Sequence, residues 1–221
     1  MKKSIHIISG LMVLVLGARA PVAVSSPPPE AAADNDIYND SPAVDARLEM
    51  RHLWAQQVSI MHAYIVSATS DLPDTEWLMK SATRNADDIA AAVTAYYSSA
   101  YGAKLSALLR EHVILFSDAV RMAREREKDE MGPAQDKLDM NGHEIVSFLA
   151  DANPNWNAGE LDDVIEAHIN YENDQLMARI DHDWDSDNKA WIEAGKNALK
   201  LADMLSQGLE RQFPDRFVAA N

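Results

Sequence analysis

The sequence predicts an all-α protein: an up-and-down bundle of the four-helix type, built from two related helical hairpins with shorter helices alongside. Three observations carry that expectation. From about residue 45 the apolar residues recur at helical spacing, and no stretch alternates apolar and polar long enough for a strand. Pro73, Pro133, Pro154 and Pro214, with Gly102, Gly132 and Gly159, fall between the periodic stretches, where helices stop. A pattern over 103–123 also returns 56 residues later over 159–179 without a gap.

Taken in order, residues 1–20 have the form of an export signal. Lys2 and Lys3 precede an apolar run from Ile5 to Leu16, too short to span a bilayer, and Ala18-Arg19-Ala20 has the small-x-small form of a cleavage site. Pro21 disfavours cleavage directly before it, so the cut falls anywhere up to about residue 25. Residues 21–44 hold five of the nine prolines among small and acidic residues and read as a disordered linker. The bundle domain then spans 45–217. Its helices are expected at about 45–70, 75–98, 103–128, 134–151, 159–181 and 186–212.

The composition excludes several functions. There is no cysteine, hence no disulfide, thiolate metal site or cysteine nucleophile. A net charge of −15 disfavours nucleic acid and anionic membranes. No phosphate loop or GxSxG elbow occurs. The run Asp181-His182-Asp183-Trp184-Asp185-Ser186-Asp187 imitates the start of a calcium loop, but Ser186 stands where glycine is needed, so it reads as an acidic helix start.

The repeat singles out a candidate site. His112 lies on the stripe Leu105, Leu108, Leu109, Phe116, Ala119, Val120, and His168 occupies the same place on Leu161, Val164, Ile165, Leu176. Glu172 lies one turn after His168, on the same face. Gln57 and His62 on the first helix and Asp203 on the last are the other polar residues expected to face the interior. Upstream, Asn85 matches Asn141, and each reads as a helix N-cap with an acid three residues on. Two imidazoles and one or two carboxylates suit a transition metal (Zn, Fe, Mn or Cu), and bundles build such sites from facing helices. The expectation is therefore an exported binding protein, not an enzyme, that holds a metal or small ligand and inserts into no membrane once the signal is removed. The alternative is a structural or interaction module of the cell envelope, its histidines satisfied by hydrogen bonds in the core.

Several short motifs also occur in one order: Leu53-Trp54, Leu72-Pro73-Asp74, Arg84-Asn85, Glu111-His112, Phe148-Leu149, Asn153-Pro154 with Trp156, Ala202-Asp203 and Gln212-Phe213-Pro214. On these the chain resembles a family of small helical-bundle proteins found mainly in spore-forming bacteria, over about 50–217. Members are sometimes labelled acetylglutamate kinase or glycosyltransferase, labels that imply α/β folds at odds with this sequence. The resemblance implies a bundle fold and a pattern that includes His112, His168 and Asp203. It also implies a histidine where this chain has Gln57 and an arginine where it has His62.

Overall fold

A computed structural model describes residues 41–125 and 128–218. The export signal and nearly all of the linker expected at 1–44 lie outside the described residues.

The described residues form the all-α, up-and-down bundle, and among them are six long helices: α1 Pro42–Thr69, α2 Thr75–Thr94, α3 Ser99–Glu125, α4 Lys128–Ala152, α5 Ala158–Ile180 and α6 Trp184–Gln212. A 3-10 turn, Pro214–Arg216, follows. Each helix packs on the next, and α6 returns beside α1, so the six close a ring. Inside it α1, α3 and α5 also touch one another. Successive helices pack antiparallel, so these three inner helices run parallel.

Several boundaries differ from the sequence expectation, each for a local reason. Pro42 sits in the first turn of α1, where its missing N–H costs nothing. Gly102 lies inside α3, not before it: any side chain there would overlap Thr94. Pro133 likewise lies inside α4, near its start, where one intrahelical bond is lost. Asp183 caps α6, accepting from the Ser186 N–H at 3.1 Å and from the Ser186 hydroxyl at 2.7 Å, which accounts for the calcium-like run. Gly208 is required by the Trp156 indole, which fills the space of a Cβ and donates to the Leu205 carbonyl at 3.2 Å.

The bundle contains three copies of one hairpin. Buried positions Met50, Leu53, Trp54, Gln57, Val58, Met61, Tyr64 and Ile65 on α1 correspond, 55 residues on, to Leu105, Leu108, Leu109, His112, Val113, Phe116, Ala119 and Val120 on α3. A further 56 residues on stand Leu161, Val164, Ile165, His168, Ile169, Glu172, Gln175 and Leu176 on α5. The outer helices follow suit: Asn85, Ile89 and Val93 on α2 match Asn141, Ile145 and Leu149 on α4, and Asn197, Leu201 and Leu205 on α6.

The three asparagines tie each hairpin together. Asn85 Nδ2 donates to the Leu53 carbonyl at 3.0 Å, Asn141 Nδ2 to Leu108 at 3.2 Å and Asn197 Nδ2 to Val164 at 2.9 Å. Each acceptor lies one turn before Gln57, His112 or His168. Asn85 and Asn141 are thus buried mid-helix clamps, not the N-caps expected from the sequence. Their carboxamides serve a neighbouring helix instead of their own first turn.

Candidate metal centre

The three inner helices present one polar layer, made of Gln57, His112 and His168, all buried. The next layer toward the C-termini holds Met61, Phe116 and Glu172. Two copies keep an apolar residue there and the third puts in a carboxylate. Glu172 is only 3% exposed.

These groups converge. His112 Nε2 lies 3.6 Å from Glu172 Oε2, and His168 Nε2 lies 3.5 Å from Glu172 Oε1. One ligand atom from each of the three residues falls within 4.8 Å of the others. The imidazole centroids are 5.7 Å apart, with no leucine layer between them. Bonds of about 2.0–2.1 Å to a tetrahedral metal would put ligand atoms about 3.3 Å apart, so each imidazole–carboxylate distance is within a few tenths of an ångström of what a metal needs.

The neighbours fix which nitrogen of His112 is free. Because Asn141 Nδ2 donates to Leu108, its Oδ1 is the atom that meets His112 Nδ1, at 3.0 Å. An amide oxygen only accepts, so Nδ1 carries a hydrogen and Nε2 is the nitrogen turned toward Glu172. The facing atoms, His112 Nε2 and Glu172 Oε2, are both buried and have no hydrogen-bond partner. A nitrogen and a carboxylate oxygen facing each other in a dry interior are satisfied by a proton or by a metal cation between them.

Burial pushes the His168 imidazole below its ordinary value, against the pull of Glu172. Burial pushes the Glu172 carboxyl up, but the two imidazoles outweigh it and leave the group on the low side. Neutral imidazoles and an ionised carboxylate are the forms that bind metals.

The other expected ligands lie elsewhere. Gln57 shares the imidazole layer, but its Oε1 accepts from Asn85 Nδ2 at 2.9 Å. His62 points toward α6, with Nε2 3.4 Å from Asp187 Oδ1 and its ring 4.7 Å from that of Trp191. Asp203 does not join the site: Arg51 holds it by Nε at 2.7 Å and Nη2 at 2.6 Å. The face of α6 that turns inward runs through Ala194, Ala198, Leu201, Ala202, Leu205 and Leu209, which leaves Asp203 on its edge.

Beyond Glu172 the departure from threefold symmetry continues along α5. Gln175 stands where the other copies have Tyr64 and Ala119, and Arg179 where they have Ala68 and Ala123. Arg179 Nη1 meets Asp187 Oδ2 at 3.2 Å. A polar row therefore leads from the site to the C-terminal end of α5. Comparison with protein-family models, curated proteins and solved structures finds no match for this chain.

Proposed function

We propose that the protein is a metal-binding bundle protein that holds one transition-metal ion on His112, His168 and Glu172. One observation carries this reading: a buried imidazole nitrogen, oriented by Asn141, faces a buried carboxylate oxygen 3.6 Å away, and neither has a hydrogen-bond partner. Nitrogen-rich donors favour Zn, Fe, Mn or Cu over Mg or Ca. The pairing of His112 with Asn141 is the kind of support that orients metal-ligating histidines. Three protein ligands leave coordination positions for something else.

Elemental analysis of protein purified without chelators or metal affinity resin tests this. We expect about one metal ion per chain in the wild type, the stoichiometry of a single site. The double variant His112→Ala, His168→Ala should carry almost none, and equal metal in both would refute the reading.

The export reading of residues 1–20 places the centre outside the cytoplasm. Among the described residues no helix is long and apolar enough to cross a membrane. N-terminal sequencing of protein made in an export-competent host should find a chain starting beyond residue 20, and an intact Met1 would contradict it.

A further inference from the structure

A cavity of about 40 Å³ adjoins the site. Its walls include both imidazoles, Gln57, Trp54, Ile89 and Val113, but not Glu172. It therefore meets the centre from the side away from the carboxylate. Every lining residue is buried. Its boundary is almost wholly apolar apart from the imidazoles, the Trp54 edge and the Gln57 amide. Asn85 occupies Gln57 Oε1, so the Gln57 NH2 is left as a donor beside the space, as is the Trp54 Nε1–H, which is buried and has no partner.

From this, and resting on the metal reading above, we infer that the centre is a ferrous site whose open position binds a neutral diatomic gas, of the class of dioxygen and nitric oxide, inside the cavity. Two histidines and a carboxylate with free positions are the donor set of non-heme ferrous centres. A water occupies about 10–15 Å³ on this measure, so the cavity admits two or three heavy atoms and no organic substrate. A charged ligand would have to leave water for an apolar chamber with only neutral donors, on Gln57 and Trp54, to receive it. A neutral diatomic does not, and its distal atom accepts from the Gln57 NH2. Ile165 lines both this cavity and the groove between α4 and α5. Gly142 stands opposite, where a Cβ would come within 3.2 Å of Ile165 Cγ2.

The test uses the whole chain loaded with one equivalent of ferrous iron under argon. Nitric oxide is titrated in and followed by the spin-3/2 resonance of its ferrous adduct, and a bulky isocyanide is titrated in parallel. We expect saturable nitric oxide binding, one per iron, and no isocyanide binding. Ile89→Phe, which fills the chamber and leaves every metal-ligating residue in place, should keep the iron and weaken nitric oxide binding at least tenfold. Val113→Leu, a gentler filling, should do so in part. Gln57→Leu should lower affinity roughly tenfold, the effect of one lost hydrogen bond. Dioxygen uptake in a second arm identifies the gas: uptake in proportion to iron assigns dioxygen, and its absence beside nitric oxide binding assigns nitric oxide. Retained iron that binds neither gas, isocyanide binding as tight as nitric oxide, or unchanged binding in both filled variants overturns the inference and leaves the metal reading standing. Failure to retain iron or any other metal overturns both.

Discussion

Replacing Glu172 by methionine separates a functional carboxylate from a structural one. The internal repeat supplies the choice of residue, since Met61 occupies the same position on α1 and Phe116 on α3. The frame therefore accepts a large apolar side chain there. In the metal-free protein Glu172 buries a carboxylate whose Oε2 has no partner. Removing such an acceptor recovers about 1–3 kcal/mol. Burying a methionine contributes about 1.5–3 kcal/mol more, less about 1–3 kcal/mol for imperfect repacking. A net gain of about 1–3 kcal/mol is expected, in line with other buried ionic groups exchanged for apolar ones. For a folded part of this size that raises Tm by roughly 3–10 °C. The assay is thermal and urea unfolding of both proteins in chelator and in excess metal. In chelator Glu172→Met should be the more stable. With metal at about 100 times Kd the wild type should gain about 2.7 kcal/mol, and the variant nothing. A variant less stable than wild type in chelator, or one that responds to metal as the wild type does, would refute the argument that Glu172 is kept for binding at a cost to the fold.

Asn141→Leu removes the group that orients His112 and should weaken metal binding about 10–100-fold while helicity is retained, as titration with cobalt would measure. Asp203→Asn should leave metal content unchanged, because Asp203 serves Arg51. The Arg51 hydrogen bond holds the Asp203 carboxyl below its ordinary value of 3.8, so the pair stabilises the fold at neutral pH and ceases to as pH falls through the folded-state value. The difference between wild type and variant, measured by urea midpoint against pH, should therefore be constant near neutrality and vanish in strong acid. Gly208→Ala drives a methyl group into the Trp156 indole and should cost about 1–3 kcal/mol, seen as a lower Tm with metal stoichiometry intact.

The helices and the inward direction of His112 and His168 were legible because burial imposes a period that one chain displays by itself. Glu172 was legible in part, through its one-turn spacing from His168. The third copy of the hairpin was not. Its inner helix carries Gln57 in place of histidine, and its partners conserve only size and polarity, which a search for like residues passes over. Asn85 and Asn141 misled because an asparagine followed by an acid satisfies a local rule for helix starts, whereas their actual partners are carbonyls 32 and 33 residues away. Asp203 misled by phase. It falls within a turn of Leu199 and Ala202, but Leu199 is itself 39% exposed and lies outside the buried face. The Arg51 side chain, which holds it at the edge, comes from the far end of the sequence. The cavity left no trace in the sequence, because it is a shortfall of volume among residues that each look ordinary.

The ring of helices closes on itself, since α6 lies against α1 and Arg47 borders the same surface hollow as Pro214 and Phe217. The first and last hairpins are thus neighbours, and none of the three holds a privileged place in the order of the chain. Joining the two ends of the bundle and opening the turn between α2 and α3, or that between α4 and α5, would leave every clamp between an asparagine and its carbonyl within a single hairpin. The architecture is therefore permutable, and its chemistry rests on how the three units differ at one level of the interior, not on which of them is made first.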